Sequence, residues 1–481
     1  MNNRLTKESI LYGIGHISSR LITFLLLPLF TNILSPYEYG IIALVYTFIA
    51  FLTVILHFGL DTALLRHYKP AENNDEKYQY ITNTYIPLLI INIIIFLMFF
   101  ILKDTLSVYL LGVDMPLIFL LMTSIICFDG LWSIPMIILR ADNKPIAFVG
   151  FSLLNVISNI LFIIFLVLYL QLGIVGVVAS NVLSSGLLFL MTAPIIFKKI
   201  SFKYLDYQIF KKLFSFGSPF IFAGIFSMII ELSDRYIIKY LLDLEMVGIY
   251  NAGYKLGMMM LLVVMAFNMA WQPFFLDKKN QKNRQILSTF INNTFFVFSI
   301  LCCVVIILVE PLTQINFLDY KILGDSFTES LIVVPWICLA YLFHGAYILQ
   351  LPGPYITNKT KSIAVIRGLG ALSNIALNFY LIPRHGILGA AYATCLSFFI
   401  MSILIFLYNQ KIFPMSYNYY KIYCSLFIVL IFIIINWLNP LLITRFLLLL
   451  LLPIILFLMG CINEEKIHLI KRKIHRALWT S

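Results

Sequence analysis

The side chains with the greatest chemical reach in this sequence are charges lying within otherwise oily stretches: Arg20, Asp129, Glu231, Asp234, Arg235, Lys255 and Arg367. An ionised group at bilayer depth costs at least about 2.5 to 3.5 kcal/mol on insertion scales, so such groups face a bundle interior or water and mark functional sites by default. Arg20 has no nearby acid in its own stretch to pair with, which makes it the first candidate contact for an anionic group. Glu231 and Arg235 stand at i and i+4, so two readings remain open: mutual neutralisation, or lining of a site. Asp234 and Asp129 are further carboxylates that could face a cavity or hold a coupling ion. Asp61 and Arg66 read as an interfacial anchor pair. His57 and His344 read as satisfied hydrogen-bonders rather than proton carriers.

The elements that must position these groups are membrane helices. A hydrocarbon core of about 30 Å requires roughly 20 apolar residues per helix, and the chain supplies about fourteen such runs. The first is expected over Ile10–Ile33, the second over Gly40–Thr62, the seventh over Leu213–Leu241, the eighth over Met246–Phe275 and the last over Leu441–Cys461. The leader Met1–Ser9 has no small-residue cleavage motif after it, so the first run reads as a helix and not as a removable signal.

Most of the 34 Lys and Arg fall in alternate connections, including the clusters Lys198, Lys199, Lys203, Lys211, Lys212 and Lys278, Lys279, Lys282, Arg284. Only Lys103, Lys239, Lys321 and Arg384 lie in the opposite connections. The positive-inside rule then places both termini in the cytoplasm. A net charge of +12 can signal nucleic acid, but here it is confined to short loops beside the membrane, where topology and anionic lipid account for it. With 61% hydrophobic and 12% charged residues, the chain leaves no room for a sizeable soluble domain.

Internal repetition organises the helices. TyrGlyIleIleAlaLeuValTyr (Tyr39–Tyr46) aligns with ValGlyIleTyrAsnAlaGlyTyr (Val247–Tyr254), superimposing Gly40 on Gly248 and Tyr46 on Tyr254. SerAsnIle at Ser158–Ile160 recurs at Ser373–Ile375, and GlyIleValGly (Gly173–Gly176) recurs as GlyIleLeuGly (Gly386–Gly389). The expected fold is therefore an all-α polytopic membrane protein with two six-helix lobes related by a parallel repeat, plus a terminal helix pair. The expected boundaries are 1–200 for the first lobe, 201–410 for the second, 411–461 for the pair and 462–481 for a basic cytoplasmic tail. Two parallel lobes leave a cleft that can open alternately to either side.

Asn155, Asn159, Asn374 and Asn378 are expected to join helices by hydrogen bonds, and Pro28, Pro219 and Pro273 to bend theirs. The seven cysteines have no metal-ligand spacing and read as small packing residues. There is no phosphate-binding loop, metal cluster or nucleophile–base pair, so neither an enzyme nor a cofactor is expected. Energy must come from a gradient, the membrane potential or the substrate's own flow.

The segment from the first helix through LeuSerProTyrGluTyrGly (Leu34–Gly40) to GlyLeuAspThrAlaLeuLeuArgHisTyr (Gly59–Tyr68) resembles the start of polysaccharide transporters. These are the Wzx-type oligosaccharide flippases of the multidrug, oligosaccharidyl-lipid and polysaccharide (MOP) exporter superfamily. The resemblance implies translocation of an undecaprenyl-diphosphate-linked oligosaccharide repeat unit across the bacterial inner membrane, for O-antigen, capsule or a related polymer. It further implies a cavity lined by helices one, two, seven and eight, and a groove for the lipid tail in the final pair. Arg20, Arg235 and Lys255 would attract diphosphate or acidic sugars, and Glu231, Asp234 or Asp129 would bind a coupling cation, H+ or Na+. Implied partners are membrane lipids, the polysaccharide polymerase and chain-length machinery. A cation-coupled drug exporter normally has twelve helices, whereas lipid II flippases share fourteen. A membrane-embedded polymerase or ligase usually has a large external loop, and the longest here, Glu310–Thr328, is short.

Overall fold

The computed structural model describes residues 24, 26–281, 283–317, 320–438 and 441–458. Among them, twelve helices are long and apolar enough to cross a membrane, and they correspond one for one to the second through thirteenth expected spans. The first span lies mostly, and the fourteenth partly, outside the described residues, as does the tail after residue 458.

In chain order the first half contains α1 (Pro36–Leu56), α2 (Leu60–Tyr68), α3 (Asn74–Leu106), α4 (Pro116–Ala141), α5 (Pro145–Ile163) and α6 (Gly173–Phe197). The second half contains α7 (Tyr207–Leu241), α8 (Leu244–Gly257), α9 (Met259–Leu276), α10 (Arg284–Thr313), α11 (Val334–Leu349), α12 (Lys361–His385) and α13 (Ile387–Ile412). Then follow α14 (Tyr419–Trp437) and α15 (Leu442–Leu458). Large apolar side chains such as Ile101, Leu161, Leu190, Val365 and Leu450 stand exposed around the outside. That is the surface a hydrocarbon solvent demands of a helical bundle whose backbone polar groups are satisfied internally.

Helix starts are written in the loops. At α1 the Ser35 hydroxyl accepts from the Glu38 N–H, while the Ser35 N–H donates to the Glu38 carboxylate at 2.9 Å. With Pro36 in the first turn, this is a complete capping box. Asn73 caps α3 and Asp243 caps α8 in the same way, accepting from the N–H of Glu76 at 2.7 Å and of Met246 at 2.8 Å.

Two expected continuous spans are broken. The run Gly40–Thr62 stops at Leu56 because Phe58 (φ 50°) and Gly59 (φ 64°) adopt the left-handed conformation, and α2 restarts beyond them. The run Met246–Phe275 divides at Met258 into α8 and α9. There Gly257 lies flat against α11, where a methyl group would overlap Ile337.

The halves touch on both faces. On the face of loop 242–243, Gly40 and Gly248 lie backbone to backbone: a methyl on Gly40 would overlap the Leu244 carbonyl, and one on Gly248 the Pro36 carbonyl. The longest connection on that face is a folded cover rather than a free loop. Its hairpin, β1 (Asn316–Phe317) antiparallel to β2 (Tyr320–Lys321), leads into a 3-10 stretch, Asp325–Val333. Asn32 Nδ2 donates to the Lys321 carbonyl at 2.7 Å, the Gly324 N–H donates to Thr31 Oγ1 at 3.0 Å, and Phe327 meets Tyr39 edge-on. On the lysine-rich face, Gly59 meets Gly217 of α7 backbone to backbone, Phe58 meets Phe214, and Arg66 stacks on Phe216 at 4.7 Å. Arg66 therefore turns to an aromatic ring of α7, and it forms no ion pair with Asp61.

Candidate functional site: a polar cavity between the two halves

Between these contacts lies a cavity of about 690 Å³ whose walls come from Leu26, Phe30, α1, α4, α5 and α6 on one side and from α7 and α8 on the other. Its volume is in the range of about 300 to 1,000 Å³ typical of small-molecule sites. The two walls differ in chemistry. The second-half wall carries Glu231, Arg235, Asn251, Tyr254 and Lys255. The first-half wall carries Tyr46, Thr47, Trp132, Ser133, Ser152 and three asparagines, with no charged residue among the described ones.

Helix α7 builds the charged wall. Arg235 Nη1 lies 2.5 Å from the Asp234 carboxylate and donates to the Glu231 backbone carbonyl at 2.6 Å. Tyr250 of α8 donates its hydroxyl to the second oxygen of Asp234 at 2.5 Å. The guanidinium lies over the Tyr254 ring at 3.9 Å, and Tyr254 is tied to Tyr341 of α11, hydroxyl to hydroxyl, at 2.8 Å. Asp234 is 0% and Arg235 2% exposed, so the pair is desolvated and held by α7, α8 and α11 together. The ion pair seen for Arg235 is thus with its neighbour in sequence, where helical spacing suggested Glu231. Adjacent residues do not normally face one another on a helix. Here the pair closes because Tyr250 and Tyr254 hold its two members from the facing helix.

Lys255 occupies a less committed position. Its ammonium lies 5.2 Å from the Tyr39 ring centroid, and no carboxylate of the described residues lies within the 4.0 Å of an ion pair. It therefore supplies a positive charge held in no direct ion pair with a described carboxylate, on the same wall as Glu231 and the neutralised Arg235. Arg20 lies outside the described residues.

Asp129 sits behind the opposite wall. One of its oxygens accepts from Trp132 Nε1 at 2.8 Å and from Ser185 Oγ of α6 at 2.6 Å. Asp129 itself does not line the cavity, but Trp132 does. Of the four asparagines expected to join helices, Asn159 and Asn374 do so, and Asn378 supports Asn374 from one turn further along the same helix. Asn159 Nδ2 donates to Ser184 Oγ at 3.3 Å, Asn374 Oδ1 accepts from Ser233 of α7 at 3.3 Å, and Asn378 Nδ2 donates to Asn374 Oδ1 at 3.0 Å. Asn155 instead faces the cavity. Arg367 lies elsewhere, donating to Tyr347 and Ser227 hydroxyls, each at 3.3 Å.

Reasoning from the sequence missed Tyr46, Trp132, Asn181 and Asn251, all cavity-lining. Tyr46 had a usable signal, since it aligns with Tyr254 in the internal repeat. The others are uncharged residues in apolar runs, which hydropathy does not single out. Among the described residues no group of three His, Cys, Asp or Glu side chains is placed to hold a metal ion.

Comparison with known proteins agrees with this architecture. The chain is 23% identical to a Haemophilus influenzae protein named for the Lsg locus, over 80% of this chain and 95% of that one. It is 22% identical to a Shigella flexneri protein named as an O-antigen transporter, over 40% of this chain and 45% of that one. Among solved structures, the lipid II flippase MurJ in an inward closed conformation superimposes with a TM-score of 0.74 at 19% identity, covering 93% of this chain and 97% of MurJ. An inward-facing MATE family transporter of the MOP superfamily superimposes with a TM-score of 0.68 at 14% identity, covering 84% of this chain and 97% of that one. The fold is that of the MOP superfamily. Residues 5–278 match the family described as polysaccharide biosynthesis protein, and a match over more than half of the 481 residues establishes membership: this multi-pass membrane chain belongs to the polysaccharide biosynthesis protein family.

Proposed function

We propose that the protein is a flippase that carries undecaprenyl-diphosphate-linked oligosaccharide repeat units from the cytoplasmic to the outer leaflet of a bacterial inner membrane, for O-antigen, capsule or a related surface polysaccharide. The observation that carries this reading is the charged and polar cavity enclosed by membrane-spanning helices of both halves. A hydrophilic headgroup needs such a chamber to cross hydrocarbon, while its lipid tail stays outside in the bilayer. Family membership supports the polysaccharide pathway, and the name of the Shigella flexneri relative supports transport rather than polymerisation or ligation.

In this reading Lys255 contacts the diphosphate as a compact cation, with Arg20 as its expected partner from the first helix. Arg235 contributes through the ordered Asp234–Tyr250–Tyr254 cluster. Glu231 is the carboxylate for a coupling cation, H+ or Na+, since it lines the cavity beside these cations. The lobes rock so that the Gly59–Gly217 contact parts while Gly40–Gly248 stays closed, and then the reverse, opening the cavity to one leaflet and then the other. The lysine-rich face is cytoplasmic by the positive-inside rule.

The test is deletion of the gene in its host, followed by analysis of surface polymer and of lipid-linked intermediates. The expected result is loss of polymer with complete repeat units stranded on the cytoplasmic side. Accumulation of incomplete units, or export of single units that are never joined, would refute the assignment in favour of an assembly enzyme.

A further inference from the structure

The uncharged wall of the cavity has a chemistry of its own. Asn155, on α5, offers two N–H donors and a carbonyl acceptor, and its side chain forms no hydrogen bond with any described residue while facing the cavity. Asn159 gives one N–H to Ser184 and also lines the cavity, its carbonyl oxygen accepting from no described residue. An amide left without a partner in a low-dielectric interior costs about 1 to 3 kcal/mol, so these groups require water or a ligand rich in hydrogen-bonding groups.

The same wall carries an oriented ring. Trp132 does not point its N–H into the cavity: that N–H is taken by Asp129 at 2.8 Å, and the same carboxylate oxygen is anchored by Ser185 at 2.6 Å. A carboxylate in the middle of a membrane helix costs at least about 2.5 kcal/mol. Here it fixes the rotamer of one indole and leaves the ring's apolar surface to the cavity. Tyr46 is tied in turn, its hydroxyl accepting from Asn181 Nδ2 at 3.3 Å.

Amides with open donors and acceptors beside a fixed aromatic surface, with no formal charge, match a sugar ring. Hydroxyls present paired donors and acceptors to amides, and the C–H face of a pyranose lies against an aromatic plane. A diphosphate would instead be drawn to the opposite wall and Lys255. We infer that the first-half wall is a carbohydrate subsite, with Trp132 as the stacking platform, Asn155 and Asn159 as the hydroxyl-binding groups, and Asp129 as a positioning residue for the indole. The inference rests on the proposed function and adds to it the orientation of the cargo: sugars toward α4 and α5, diphosphate toward α7 and α8.

Two probes test this with the purified full-length protein in lipid nanodiscs: bare undecaprenyl diphosphate, and the same lipid carrying the repeat unit, extracted from the gene-deletion strain. The wild-type protein is expected to bind the glycosylated lipid at least tenfold more tightly. Asn155→Ala and Trp132→Ala should each weaken the glycosylated lipid by about 3- to 10-fold, the scale of one or two hydrogen bonds or a stacked ring, and leave the bare lipid unchanged. Asp129→Asn, which keeps the accepting oxygen, should bind as wild type, whereas Asp129→Leu should follow Trp132→Ala. Asn155→Ala carries the test if the tryptophan variant does not fold, because the Asn155 side chain bonds no described residue. Equal loss for both lipids, or no loss for either, overturns the subsite. Wild-type protein that binds both lipids equally overturns the subsite alone, and wild-type protein that binds neither overturns the proposed function with it.

Discussion

Replacing Asp234 with Ala removes one member of a desolvated ion pair and leaves the other in place. Arg235 is 2% exposed and its guanidinium is 2.5 Å from the carboxylate, so the variant buries an unpaired charge. Breaking such pairs costs about 3 to 5 kcal/mol. That range includes the Tyr250 hydroxyl, which loses its acceptor at a cost of about 1 to 3 kcal/mol if nothing replaces it. The stacking of Arg235 on Tyr254 at 3.9 Å survives and keeps the loss from growing, being worth up to about 2 kcal/mol where desolvated. Unfolding entropy of about 2.1 cal/mol/K per residue over 481 residues is roughly 1 kcal/mol per degree, so Tm should fall by about 3 to 5 °C. The assay is thermal unfolding in detergent, followed by tryptophan fluorescence. The double variant Asp234→Leu with Arg235→Met should regain most of the loss, because two apolar side chains of similar volume need no partner. It should still fail to export polymer, since the cavity has lost its guanidinium. A single variant as stable as wild type, or a double variant no better than the single, would refute the reasoning.

Arg20→Ala should abolish polymer export while the protein remains stably inserted; normal export at normal expression would show that Arg20 plays no part in transport. Gly40→Ala and Gly248→Ala should each force the two halves apart, since the new methyl overlaps a carbonyl of the opposite helix. Overpacking of this kind costs about 1 to 3 kcal/mol, and a cysteine pair placed across positions 36 and 244 should cross-link more slowly in either variant. Ending the chain after Ile412 should leave the body folded but export-deficient, because α14 and α15 are carried on it. Tyr417 donates to Gln350 at 2.8 Å, Lys421 to Asn293 at 2.9 Å, and Arg445 pairs with Glu310 at 2.6 Å. A cut at Tyr408 would also remove Asn409, which donates to the Gln350 carbonyl at 2.6 Å inside the body. Full export by the shorter chain would dismiss a role for the final pair.

Spans, the alternation of their connections and the basic face are properties of local composition, because the bilayer acts on each stretch of about 20 residues independently of the rest. That is why the expected second through thirteenth spans have counterparts in the structure. The alignment of Gly40 with Gly248 was likewise visible in the chain, though not that the two would meet face to face. Contacts between helices depend on rotation and tilt, which packing sets and hydropathy does not record. Only the tertiary structure could therefore give Arg235 to Asp234 rather than Glu231, break the second span at Phe58 and Gly59, and place Asp129 behind Trp132 instead of in the cavity. The same holds for Asn155 and Asn251: an uncharged amide in an apolar run looks alike whether it ties two helices together or faces a chamber, and only its neighbours in space decide which.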